Sequence, residues 1–199
     1  MSVCILIAGL PASGKSTFAR MLMHSLGIPC LSKDSIKESL FDTLGFQSRA
    51  EKVKLGEAAY RIMLDQAEAL LRNGLNIALE NNFEDVSCPP LLEMLERTGA
   101  KPITVLFDGD IAAIHTRFLQ RDQSPERHRG HVVNTRYPET ETAPYVPLSP
   151  EAFAAGMEAR GYRRFDIGGA RLVVDTTQTC SVDWANVLDW IQKQIEKER

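Results

Sequence analysis

Nine consecutive residues, Gly9-Leu10-Pro11-Ala12-Ser13-Gly14-Lys15-Ser16-Thr17, fit the pattern GxxxxGK[ST], and each fixed position suits a grip on a polyphosphate. Gly9 and Gly14 allow a tight turn and bring the main chain close to phosphate with no Cβ in the way. Pro11 has no N–H, so the donors run from Ala12 through Ser13, Gly14, Lys15 and Ser16 to Thr17. They gather where the next helix begins and its dipole favours anions. Lys15 can reach the β- and γ-phosphates, and the Ser16 hydroxyl is placed for Mg²⁺, which takes few protein ligands. No NKxD-like base-reading motif is present, so the expected ligands are ATP and Mg²⁺.

Two carboxylates stand where strands should end. Asp34 follows a short apolar stretch at 28–32, and in a parallel α/β sheet the carboxyl ends of the strands form the ligand crevice. It reads two ways: a general base toward a substrate hydroxyl, or the N-cap of a helix over 35–44. Glu80 closes the strand at 75–79, the position from which such folds hold Mg²⁺ directly or through water. It is the candidate second metal residue beside Ser16, against the alternative of a structural acid.

The third feature is basic. Between His115 and Arg136 lie five arginines (Arg117, Arg121, Arg127, Arg129, Arg136), three histidines and two acids, in a chain whose net charge is −3. Arg117 and Arg121 share a helical face and repel each other unless an anion lies nearby. A polyphosphate is such an anion, and an arginine arriving from a lid can stabilise a transferring phosphoryl group. Arg117 and Arg121 are therefore candidate catalytic residues, and Arg121, Arg127 and Arg129 candidate phosphate ligands. The other reading is a solvated basic face. His115, His128 and His131 have no cysteine or carboxylate at zinc spacing, so no zinc site is expected.

These residues need a frame. The apolar run at 3–8 predicts a strand buried on both faces of a parallel sheet. Phe18, Met21, Leu22, Ser25 and Leu26 then recur at helical spacing, giving strand, loop and helix in the order that phosphate binding requires. Further strands are expected at 28–32, 75–79, 103–107 and 171–175. Helices are expected over 35–44, 48–73, 87–97, after Asp110, up to Arg160, and over 181–198. Tyr60, Met63, Leu64, Ala67, Leu70 and Leu71 form a core stripe on the long helix. Gln47, Arg49, Lys52 and Lys54 border an acceptor pocket or form a solvated face. Pro138, Pro144, Pro147 and Pro150 mark 136–150 as an extended loop, and loops of this length belong to functional lids or to disordered segments.

With 199 residues the expectation is one α/β domain over 1–199, with a lid and extended loop at 115–148. No apolar run approaches the ~18 residues of a membrane span, and no cationic leader with a cleavage site is seen, so a cytoplasmic protein is expected. The balance of charge gives no global reason to expect nucleic acid. Cys4, Cys30, Cys88 and Cys180 show no CxxC spacing and read as reduced, structural thiols.

The chain resembles the small P-loop kinases grouped with zeta toxins, polynucleotide 5′-hydroxyl kinases and chloramphenicol phosphotransferase. The resemblance rests on GLPASGKST, on SKDSIKESLFD, on the strand ending Glu80-Asn81-Asn82, and on RFLQRDQSPERHRGH. It implies a three-layer fold with a five-stranded parallel sheet in the order 2-3-1-4-5. It also favours Asp34 as the base that activates an acceptor hydroxyl, and an arginine-rich lid closing over ATP. Two departures matter. Lys37 stands where polynucleotide kinases of the group commonly place an arginine, and a lysine cannot make the same bidentate phosphate contact. The third strand ends in Glu80 rather than the usual aspartate. The expected activity is phosphoryl transfer to a small-molecule hydroxyl. The alternatives are a 5′-hydroxyl polynucleotide kinase, disfavoured because no aromatic residue lies among the arginines at 121–136, and a non-catalytic nucleotide-binding module.

Overall fold

In the computed structural model, which describes residues 1–141 and 144–198, a parallel sheet runs in the order β2-β3-β1-β4-β5. Its strands are β1 (Val3–Gly9), β2 (Cys30–Ser32), β3 (Ile77–Glu80), β4 (Lys101–Asp108) and β5 (Ala170–Asp175). β1 is buried along its whole length at the centre of the sheet. Its alternate side chains feed two cores: Cys4, Leu6 and Ala8 on one face, Val3, Ile5 and Ile7 on the other. That two-sided burial is why the segment reads as an unbroken apolar run.

Helices cover both faces. α3 (Arg49–Arg72) and α4 (Cys88–Thr98) pack on the first, and α1 (Lys15–Leu26) and α8 (Trp184–Lys197) on the second. Met63, Leu64, Ala67 and Leu71 of α3 are buried in the core, as the stripe predicts. A third cluster sets Leu10 of the glycine-rich loop against Ile114 of α5 (Ile111–Asp122) and against Phe153 and Met157 of α7 (Pro150–Arg160).

β3 and α8 begin two and three residues later than expected, and the elements around Asp34 also differ from expectation. β2 is shorter, beginning at Cys30. The helix after it, α2 (Lys33–Leu44), starts earlier, and its N-cap is Ser32, whose hydroxyl accepts from Ser35 N–H. Asp34 sits inside the first turn, so the N-cap reading of Asp34 is corrected in favour of Ser32. The segment expected to form a lid also holds a short helix not foreseen, α6 (Arg129–Val132). Within the expected extended loop, Thr142 and Ala143 lie outside the described residues, as does Arg199; its other residues up to Ser149 form no helix, and Tyr137 bridges to Phe46. None of the described helices is long and apolar enough to cross a membrane. The cysteines are free, and Cys180 is exposed rather than structural.

Candidate active site

The glycine-rich loop leaves the carboxyl end of β1 and enters α1. Gly9 has φ +112°, and a Cβ there would fall 2.1 Å from the carbonyl oxygen of Phe107, so no other residue fits between the two strands. Gly14, with φ +96°, is the N-cap of α1. Ala12 also adopts a positive φ of +56°, a conformation that costs a residue with a Cβ on the order of 1 kcal/mol and that clusters at functional sites. Ser13 is buried and donates to Leu10 O at 2.6 Å.

Lys15 is almost wholly enclosed, and its ammonium donates to the loop's own carbonyls, Gly9 O at 3.1 Å and Leu10 O at 2.5 Å. Burial pulls its pKa down to about 8, partly opposed by the carboxylates of Glu80 and Asp34. An incoming phosphate oxygen would supply the compensating charge that the carbonyls only approximate.

Glu80 ends β3, 7 % exposed. Its two oxygens are bracketed by hydroxyls: Ser16 Oγ donates to Oε1 at 3.0 Å and Ser32 Oγ to Oε2 at 2.6 Å. The register of β3 between β1 and β2, with Glu80 opposite Ile7 and Ser32, brings these three residues together from positions far apart in the chain. A hydroxyl and a carboxylate side by side are hard oxygen donors and fit Mg²⁺. Among the described residues no cluster of three or more acids, histidines or cysteines could hold a metal by itself. The next residues continue the rim: Asn81 and Asn82 face the cleft, and Phe83 holds φ +55° while stacked on Phe165 at 4.9 Å.

Asp34 opens into the same cleft, a cavity of about 1050 Å³ that also holds the loop, Glu80, Arg121 and Arg127. Enclosure opposes ionisation of Asp34, but His131, Arg127, Lys37 and Lys33 together outweigh it and hold the carboxyl below its ordinary pKa of 3.8. It is a carboxylate at any pH near neutrality.

The arginines separate into two groups. Arg117 lies on α5 and does not reach from a lid: Nε donates to Ala12 O at 3.2 Å, and its two terminal nitrogens to Thr177 O at 3.0 Å and Thr176 O at 2.8 Å. This guanidinium ties the phosphate loop to the segment after β5, which also explains how it escapes repulsion by Arg121. Arg121 and Arg127 converge on Asp122, at 3.2 and 3.6 Å, and the buried Nε of each has no hydrogen-bond partner among the described residues. Both side chains line the cleft, with their Nε atoms shielded from it and their charge shared with the single carboxylate of Asp122. Arg129 also lines the cleft, but its fork is taken bidentately by Glu139 at 2.8 Å.

The segment at 128–134 is held from below. His131 contacts Glu38 at 2.9 Å and His128 contacts Asp42 at 3.0 Å, both acids on α2. Lys52 of α3, 5 % exposed, donates to His131 O at 2.7 Å, Val133 O at 2.5 Å and Asn134 Oδ1 at 3.1 Å. Arg49 lines the cleft and donates to the same Asn134 amide oxygen. Of the residues with two sequence readings, Arg49 lines the cleft, Lys52 is buried and braces residues 131–134 without lining it, and Gln47 and Lys54 are exposed. Ser32 carried no sequence signal beyond a hydroxyl at a strand end, and Lys52 none that set it apart from a solvated lysine.

Comparison with known proteins agrees with this frame. The AAA domain family (AAA_33) matches residues 4–136. No curated protein matches. Among solved structures the chain is similar to a "putative kinase" from Chloroflexus aurantiacus, 24% identical with a TM-score of 0.74 over 98% of this chain and 97% of that one. It is also similar to a shikimate kinase from Acinetobacter baumannii in complex with shikimate (15%, TM-score 0.57, 100% and 96%). A gluconokinase from Sinorhizobium meliloti is a third (11%, 0.52, 98% and 92%). At these identities the likeness establishes the fold, the parallel P-loop architecture of kinases.

Proposed function

The chain belongs to the AAA domain family, and from that premise we propose that it is an ATP-dependent kinase acting on a hydroxyl of a small molecule. The observation that carries the reading is the shared cleft: the phosphate loop, the Ser16–Glu80 pair, an ionised Asp34 and two arginines that share the one carboxylate of Asp122 all line one cavity. The kinase names of the structural neighbours support it. A purely regulatory nucleotide binder has no use for Asp34 or for Arg121 and Arg127.

In this reading the loop N–H groups and Lys15 hold the β- and γ-phosphates, and Lys15 exchanges its carbonyl partners for phosphate oxygens. Ser16 and Glu80 would hold Mg²⁺, which would supply positive charge against the phosphates. Asp34 accepts the proton of the acceptor hydroxyl as that oxygen bonds to the γ-phosphorus. The bond from the γ-phosphorus to the bridging oxygen breaks, and ADP leaves with the electron pair. Arg121 and Arg127 meet the charge on the transferring group. Arg117 holds the loop in shape.

The test is ATP turnover in matched reactions containing pooled sugars, sugar acids, phosphate monoesters, nucleosides, aminoglycosides and a 5′-hydroxyl oligonucleotide, with products read by mass. A product heavier by about 80 mass units, one phosphoryl group, is expected from a small-molecule pool and should be lost in Asp34→Asn, which keeps ATP binding while turnover falls roughly 10²- to 10⁴-fold. Product on the oligonucleotide alone, or undiminished turnover in Asp34→Asn, overturns the reading.

A further inference from the structure

The cationic character of the cleft does not end at the phosphates. Lys33 and Lys37 of α2 and Arg49 at the start of α3 line it as well, and none has a carboxylate within ion-pair distance among the described residues. Lys33 lies over the Tyr60 ring at 5.7 Å and Lys37 over the Phe41 ring at 5.3 Å, while Arg49 has only the Asn134 amide oxygen. Lys37 is half-buried, and its enclosure lowers its pKa with Asp34 as the chief opposing charge. Arg49, exposed on the cleft wall, has no acid partner among the described residues; an anionic group on a ligand lying between them would meet both cations.

The fold makes room for that lysine. Gly56 lies inside the 24-residue α3, where glycine costs about 1 kcal/mol relative to alanine. A Cβ there would stand 3.3 Å from both Cε and Nζ of Lys37, tighter than ordinary contact. The missing methyl leaves the ammonium its position.

Resting on the kinase reading, we infer that the acceptor carries its own anionic group, a carboxylate or a phosphate, held by Lys37 and Arg49 beside the hydroxyl presented to Asp34. Lys37 is three residues beyond Asp34 on α2, hence on the same helical face and one turn along. The anion therefore lies roughly 5–8 Å from the reacting oxygen, one helical pitch plus side-chain reach, a span of a few carbon atoms. Neutral sugars and nucleosides lack this group.

Two measurements test it. In the first, neutral polyols and sugars are offered with ATP beside the matching sugar acids and phosphate monoesters. Products are expected from an anionic arm, and which arm responds tells carboxylate from phosphate. Lys37→Met or Arg49→Gln should raise the acceptor KM roughly 10- to 100-fold, the loss of one charge-assisted hydrogen bond, with partial recovery in Lys37→Arg. A neutral parent phosphorylated as efficiently as its acid overturns the inference. In the second, crystals loaded with a non-hydrolysable ATP analogue are soaked in selenate, located by its anomalous signal. Selenate between Lys37 and Arg49, lost in Lys37→Met, supports the site; selenate absent there, or unaffected by the substitution, overturns it. If selenate binds there but neither arm yields product or ADP, the kinase reading fails and the anion site stands.

Discussion

Replacing Arg117 by alanine separates two roles that the sequence alone cannot tell apart. As a lid arginine meeting the transferring phosphoryl group, Arg117 would give an alanine variant of normal stability with turnover down about 10³-fold or more. The structure instead gives it three main-chain carbonyl partners, Ala12 O, Thr176 O and Thr177 O, at 2.8–3.2 Å. A buried hydrogen bond to a charged donor contributes about 1.5–3 kcal/mol; these carbonyls lie partly within reach of water, so under 1 kcal/mol each is a better figure, and ~2 kcal/mol in sum. For a chain of this size that lowers Tm by about 4–8 °C. The loop it braces should loosen, so the ATP KM rises more than kcat falls. Thermal unfolding and steady-state kinetics on Arg117→Ala and Arg117→Lys decide it. Lysine can satisfy only part of the carbonyl set, so its Tm should lie between. A thousandfold loss of kcat with Tm unmoved refutes the bracing role.

The pH profile should carry the signature of Lys15. Phosphate binding needs its ammonium, so kcat/KM for ATP, which reports the free enzyme, should fall as pH rises through about 8 rather than near the ordinary 10.5. The alkaline limb of kcat should lie higher, because bound phosphate favours the charged form; coincident limbs would contradict this. Gly56→Ala should raise Tm by roughly 2–4 °C through helix propensity, since the tip of Lys37 is flexible enough to yield. It should also raise the acceptor KM by about 3- to 10-fold as the ammonium is displaced. A stabilised variant with an unaltered acceptor KM would detach Gly56 from the site.

What the sequence made legible was local or periodic. The phosphate loop is contiguous, and its flanking strand and helix announce themselves by apolar run and by helical spacing, so the placement of Lys15 and Ser16 followed directly. Asp34 and Glu80 were found by the rule that strand ends line the crevice. The short reach of β2 was missed because Ile28 and Pro29 prolong its apolar look. Residues defined by distant partners were harder. Arg117 contacts groups 105, 60 and 59 positions away, and charge spacing could only class it with its neighbours. Lys52 has the composition of a surface lysine, and its burial comes from residues 131–134 folding over it, a contact some 80 residues removed. Arg129 looked like a free phosphate ligand because Glu139, its partner, lies outside the stretch in which acids were counted.

The bracketing of Glu80 by two serines has a consequence for how the two halves of the cleft communicate. Ser16 belongs to the element that would grip the donor, while Ser32 caps the helix that carries Asp34 and Lys37. A cation drawn to Glu80 competes for the oxygens both hydroxyls now occupy, so occupancy on the donor side is felt at the first turn of α2. Linkage makes such a coupling reciprocal: whatever the first ligand does to the affinity of the second, the second does to the first, and by the same factor. On the kinase reading, these three side chains would join the occupancy of one half-site to the set point of the other.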